Sequence, residues 1–287
     1  MKIQDVFIAL LVPIVLGFGF VIAKPAMEYF PPYLLMGMRF TIPALMLVWW
    51  FPLPKGLYLD LFKVSFVGST LQYGLTYTGL NIIDASSAVL LVQLEVPFGI
   101  IIAFFLLKEI PAKKNIIGLV IAFIGTYILT GAPNLEGKYI GVLLVLAGAF
   151  TWSLGAVMAK PLSKKIGAFA LMTWLCVFSG PMLLFVSFVF YGNPLEYILS
   201  ANINSWLTVI FLGFFMQPVG YAAWYYVLKK YPINKVMPVL LILPVTGLIT
   251  SIFLLGEDPP NQVFLGGSII IFGVGMILFT KSKKIRR

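Results

Sequence analysis

Residues 139–165 read YIGVLLVLAGAFTWSLGAVMAKPLSKK. No charge occurs in 139–159, and Lys160, Lys164 and Lys165 follow directly. An uncharged run of about 20 residues is long enough to cross the hydrocarbon core of a bilayer as a helix. Basic residues at its end mark the side on which that end is retained, because Lys and Arg resist translocation. The same stretch holds VMAKP at 157–161, which repeats VIAKP at 21–25 at an offset of 136. One segment therefore points both to a membrane chain and to an internal duplication.

Outward from it, the hydropathy pattern predicts ten spans, at 5–23, 33–51, 61–81, 85–107, 116–132, 139–159, 168–191, 205–228, 233–255 and 263–280. Residues 5–23 are expected to be a retained first helix and not a cleaved leader, since Asp5 accompanies Lys2 before the apolar run and further spans follow. The loops alternate in charge. One set, comprising the N-terminus, 52–62, 108–115, 160–167, 229–235 and the tail KSKKIRR, holds most of the Lys and Arg. The opposite set holds Lys24 and Lys138 against six acids, Glu28, Asp84, Glu136, Glu196, Glu257 and Asp258. The expectation is a multi-pass protein of a bacterial-type cytoplasmic (inner) membrane with both termini cytoplasmic.

Bulk composition agrees. Hydrophobic residues make up 61% of the chain and charged residues 10%, with a mean hydropathy of +1.02. Water cannot accommodate that much apolar surface, whereas lipid can. The net charge of +10 sits in short loops where insertion demands it, so it carries no sign of nucleic-acid binding, and the basic tail is expected to meet anionic headgroups. His is absent and Cys176 is the sole cysteine, which argues against a metal site, a cofactor or an intrachain disulfide.

The two halves repeat beyond VIAKP and VMAKP. YLLM at 33–36 pairs with FALM at 169–172 at the same offset, while LLKEIP at 106–111 pairs with LLGEDP at 254–259 at an offset of 148. That second offset also takes Gly118 to Gly266 and Gly125 to Gly273. The expected architecture is an all-α integral membrane protein of ten helices in two five-helix repeats, 1–135 and 136–287, the second ending in the basic tail. Five is odd, so the second unit enters from the opposite face. In transporters built from inverted repeats the substrate site lies near the midplane between the repeats.

These motifs carry a family resemblance. PPYLLMGMRF at 31–40, LLVQLEVPF at 90–98, LLKE at 106–109, AFTWSLGAVMAK at 149–160 and LLGE at 254–257 resemble the EamA family of the drug/metabolite transporter superfamily along nearly the whole chain. The pattern is most similar to the amino-acid exporter branch, which includes cysteine and O-acetylserine exporters. The resemblance implies a carrier of small metabolites. One departure stands out: the family usually has Trp-Gly in the first helix, matching Trp152 in the sixth, and here the pair is Leu16-Gly17.

Polar residues within the spans are the candidate site. Arg39 and Glu95 lie at depths where a charge costs several kcal/mol unless paired or hydrated. Two readings stay open for them. One is an ion pair, or separate partners, bracing the helices; the other is a substrate carboxylate at Arg39 and a cationic group or proton at Glu95. Glu95 falls opposite Leu243 in the repeat, so it breaks the internal symmetry. Gln72, Gln93 and Gln217 sit mid-span, where an amide requires partners. Tyr73, Trp152, Trp174 and Tyr221 lie deep enough to line a cavity, whereas Tyr225, Tyr226, Trp49 and Trp50 read as interfacial anchors. Gln72, Tyr73, Glu95, Trp152, Gln217 and Tyr221 are expected around one central space. Seven prolines fall within spans, and those at 97 and 244 occupy corresponding places, one residue out of register.

The reading that results is a secondary exporter of amino acids or related small amphiphilic metabolites. No GxxxxGK[ST] loop occurs, which leaves a proton or substrate gradient as the driving force. Other readings are an importer of a different metabolite class (such as a vitamin or nucleoside-like compound), a membrane-embedded enzyme, or a channel. One intramembrane acid and no His disfavour the enzyme, and an inverted repeat within one chain favours a carrier over a channel.

Overall fold

A computed structural model describes residues 1–80, 82–83, 91–131, 137–255 and 261–279. Asp84, Glu136, Glu257, Asp258, the start of the fourth span and the tail lie outside the described residues, as does the side chain of Lys24.

The described residues form helices and connecting turns, with no strand among them. In chain order they are α1 (Ile3–Ala26), α2 (Pro32–Leu47), α3 (Tyr58–Ser65), α4 (Gln72–Leu80), α5 (Glu95–Leu107), α6 (Lys113–Thr130), α7 (Tyr139–Ile166), α8 (Ala168–Tyr191), α9 (Pro194–Ser200), α10 (Ile203–Ile210), α11 (Ala222–Lys230), α12 (Ile233–Val236), α13 (Leu243–Leu255) and α14 (Asn261–Phe279). Seven helical stretches are long and apolar enough to cross a bilayer, and Glu95–Leu107 and Phe264–Phe279 are shorter apolar helices. Backbone groups in lipid must be satisfied within the segment, so a chain this apolar becomes helical. Large side chains such as Phe185, Phe253 and Phe272 are exposed on the outside of the bundle, where lipid is an acceptable solvent for them. Trp49 and Trp50 are also exposed, as belt anchors require.

Two spans depart from α geometry at matching places. A π-helical stretch, Phe66–Leu71, joins α3 to α4, and another, Phe211–Tyr221, joins α10 to α11. Such widened turns concentrate at functional sites in helical proteins. Two other spans are interrupted: turn residues precede α5 at Gln93–Leu94, and a 3₁₀ stretch, Met237–Ile242, precedes α13. Pro97 and Pro244 therefore stand in the first turns of α5 and α13. At Pro97, which follows turn residues, the missing N–H has no intrahelical partner to lose.

Close packing is set by small residues. α6 and α14 pack along one another through the two glycine pairs of the repeat, in crossed order. A Cβ on Gly118 would lie 2.7 Å from the Gly273 carbonyl oxygen, and one on Gly125 would lie 2.7 Å from that of Gly266. Only glycine allows backbones that near.

One end of the bundle is tied by charge. The Lys160 ammonium donates to Glu109 Oε1 at 2.7 Å and to the Tyr231 carbonyl at 2.5 Å, and the Ile233 amide donates to Glu109 Oε2 at 2.5 Å. Tyr231 Oη donates to Asp5 at 2.6 Å and accepts from the Lys2 amide at 3.1 Å. Glu109 and Lys160 thus join the LLKE and VMAKP motifs, distant in sequence, in one partly buried ion pair.

Candidate functional site

The centre of the bundle holds an Arg with no carboxylate partner among the described residues. Arg39, on α2, is 2% exposed. Its Nε donates to Gln217 Oε1 at 3.0 Å, and its Nη1 donates to Tyr73 Oη at 3.2 Å and to Met36 Sδ at 3.5 Å. The guanidinium carbon lies 5.3 Å from the Tyr221 ring centroid and 5.6 Å from that of Phe40. Nη2 is buried without a hydrogen-bond partner among the described residues. Gln217 is held in turn, its Nε2 donating to Cys176 Sγ at 3.5 Å. A buried guanidinium with one fork nitrogen unused is a costly arrangement for a mere brace. It is well suited to accept a planar anion.

Tyr73, Gln217 and Tyr221 face a cavity that Trp152 and Trp224 also line, with ring centroids 5.6 Å apart. Tyr225, Phe40, Ser69 and the small residues Gly68, Gly155 and Ala156 complete much of the wall. The open space is about 20 Å³, which suits about one water and no metabolite. The constriction has a visible cause. The π-helical stretch after α3 lies against α7 so closely that a Cβ on Gly68 would be 3.1 Å from the Gly155 Cα. Binding anything larger requires these helices to part.

The candidate residues divide as follows. Tyr73, Trp152, Gln217 and Tyr221 line the cavity, and Arg39 bonds two of them. Trp174 is 7% exposed and buried beside this group, but it does not line the cavity. Gln72 turns away. Its Nε2 donates to Thr76 Oγ1 at 3.2 Å, because adjacent residues on a helix point about 100° apart and Tyr73 takes the inward direction. Gln93 and Glu95 lie at the break before α5, both buried and both off the cavity lining. Glu95 joins no ion pair with Arg39. Among the described residues its carboxylate meets no cation or donor, and Ser153 Oγ bonds its backbone carbonyl at 2.6 Å. It stands in the first turn of α5, where the Val96 and Phe98 amides are already taken by the carbonyls of Gln93 and Leu94.

Two further aromatic residues of the α11 face belong to the lining. Trp224 and Tyr225 are buried in the cavity wall, and Tyr225 is no interfacial anchor. The pattern was available: Gln217, Tyr221, Trp224 and Tyr225 recur at i, i+4, i+7 and i+8, which is one face of a helix. Leu16, at the place of the family's tryptophan, is buried in the core and does not line the cavity.

Comparison with known proteins supplies the family. The EamA-like transporter family profile matches residues 5–131 and 139–279. A protein of Salmonella typhimurium named "Probable amino-acid metabolite efflux pump" is 27% identical over 296 residues, covering 97% of this chain and 96% of the relative. One of the same name from Escherichia coli is 27% identical over 288 residues, with coverage of 97% and 96%. A solved crystal structure superposes with a TM-score of 0.80 at 17% identity, over 96% of both chains, and so shares the fold. With the apolar helices already described, these matches show that the chain is a multi-pass membrane protein and belongs to the EamA-like transporter family.

Proposed function

We propose that the protein is a secondary-active exporter of amino acids or related small amphiphilic metabolites, working by alternating access. The observation that carries this reading is the Arg39 guanidinium. It is buried, unmatched by any carboxylate among the described residues, and has Nη2 unpartnered beside an aromatic cavity. A substrate carboxylate would satisfy Nη2, and the faces of Trp152, Trp224 and Tyr221 would take an apolar or cationic body. The names of the two efflux-pump relatives point to the same class.

The architecture that goes with this function is ten spans in two inverted five-helix repeats, 1–135 and 136–287, with both termini cytoplasmic in a bacterial inner membrane. In its support, the two family-matched tracts are divided at 132–138, and the repeat-related glycines of α6 and α14 meet in crossed order. The π-helical stretches of the third and eighth spans also recur together. Proton coupling is the drive proposed, with Glu95 as the titrating group.

The test is counterflow in proteoliposomes preloaded with unlabelled neutral amino acids. Saturable uptake of the radiolabelled counterparts is expected. Uptake that rises linearly without saturation would indicate a channel, and no uptake above empty vesicles would reject the substrate class.

A further inference from the structure

Two surface grooves lie at opposite ends of the bundle. The first, about 290 Å³, is bounded by α3, the end of α5 and α7, with Asp60, Leu106, Val157, Met158, Pro161 and Lys165 in its wall. The second, about 330 Å³, is bounded by the end of α1, the start of α10 and Leu254 of α13. Opposite placement follows from the contacts. Lys160, beside the first groove, bonds the Tyr231 carbonyl, and Tyr231 Oη bonds the first residues of α1. The second groove takes Val21, Ile22 and Pro25, at the far end of a helix about 36 Å long.

The grooves are counterparts under the internal repeat. The offset of 136 carries Val157, Met158 and Pro161 onto Val21, Ile22 and Pro25, and the offset of 148 carries Leu106 onto Leu254. Asp60 and Val64 correspond to Asn204 and Thr208 at an offset of 144. Chance surface clefts would not select matching positions on three helices. The first groove also adjoins the centre, because Val64 lines both it and the cavity beside Arg39. Its polar groups differ from its counterpart's. Asp60 and Lys165 put one acid and one base on its wall, neither in an ion pair among the described residues. At the corresponding places the second groove has the neutral Asn204 and Tyr29, with Glu28 as the charge on its lining.

We propose that the groove of α3, α5 and α7 is the loading site for a zwitterionic substrate on its way to the central cavity, and that its repeat counterpart is the release site. This rests on the transporter reading above and deepens it. Complementary charges at the loading groove hold both ends of a zwitterion, whereas the release groove, with Glu28 as the charge on its described lining, holds only the cationic end and so holds it less.

Met158→Cys and Ile22→Cys test the assignment, with the wild type, whose Cys176 is buried, as the blank. A membrane-impermeant sulfonated methanethiosulfonate is applied to inverted and right-side-out vesicles. Met158→Cys is expected to react from the face bearing the α7 C-terminus and Ile22→Cys from the other. Modification of both from one face would overturn the proposal. So would modification of neither when membrane-permeant N-ethylmaleimide labels both, since the grooves would then be lipid-filled. Asp60→Asn and Lys165→Gln are expected to raise the half-saturating concentration of amino-acid counterflow about threefold at unchanged maximal rate, the size of a partly solvated charge contact. Unchanged half-saturation in both would overturn the zwitterion assignment. If unmodified protein carries no amino acid, the substrate class fails, whereas the sided labelling still decides whether the grooves are aqueous vestibules.

Discussion

Replacing Arg39 by Met separates a brace from an anion anchor, because the two roles predict opposite balances. In the structure the guanidinium makes charged hydrogen bonds to Gln217 and Tyr73, each worth about 1.5–3 kcal/mol. The Tyr221 face adds up to about 2 kcal/mol. Against this stands the desolvation of a cation with no counter-ion among the described residues, which costs several kcal/mol. The terms nearly cancel, so Arg39→Met is expected to change stability by less than about 2 kcal/mol. Substrate binding should respond differently. Removing one partner of a desolvated ion pair costs about 2–5 kcal/mol, which at the middle of that range is more than about 100-fold in affinity. The assay pairs thermal unfolding in detergent with competition of amino acids and their amides against radiolabelled counterflow. Wild type should prefer the acid, and Arg39→Met should lose both that preference and most of its affinity. Arg39→Lys should recover only part, because an ammonium cannot serve Gln217, Tyr73 and a carboxylate in the guanidinium's planar geometry. A well-folded Arg39→Met protein that still prefers acids to amides would refute the anchor. Collapse of the fold, reversed in full by Lys, would make Arg39 a brace.

Other outcomes follow from the same structure. Glu109→Gln should lower stability by about 3–5 kcal/mol, since it strands the buried Lys160 ammonium; the double change Glu109→Leu/Lys160→Met should melt above the single variant, and thermal unfolding decides it. Gly155→Val should force the π-helical stretch away from α7, because even a Cβ there would be 3.0 Å from the Gly68 amide nitrogen; overpacking of this kind costs about 1–3 kcal/mol, read as a lowered melting temperature. Glu95→Gln should keep the fold, having no counter-ion among the described residues to strand, and should abolish the pH dependence of transport; a stable variant with normal, pH-dependent flux would remove Glu95 from coupling. Reporter fusions after Ala132 should read external and after Arg287 internal, and an external C-terminus would overturn the ten-span topology.

The membrane class, the helical nature of the spans and the family were legible in sequence because each rests on a local quantity. Hydropathy over about 20 residues, loop charge and short ordered motifs need no partner to be read. Depth along a span was legible too, and it brought Arg39, Tyr73, Trp152, Gln217 and Tyr221 forward together. Azimuth was not. Gln72 and Tyr73 are neighbours at one depth, yet one bonds Thr76 and the other faces the cavity. The π-helical stretches before α4 and α11 alter the turn that sets those directions, and their hydrogen-bond pattern leaves no clear trace in residue type. Partnership was equally hidden. Sequence left an Arg39–Glu95 pair open, and tertiary packing instead gave Arg39 to Gln217 and Tyr73 and put Glu95 in the first turn of α5. The Glu109–Lys160 pair joins two motifs 51 residues apart, and the four glycines detected as a repeat proved to meet across α6 and α14 in crossed pairs. Burial and loop charge depend on what a residue is, so the chain alone determined them. Which groups meet depends on how helices rotate and cross, and that only the packed bundle decided.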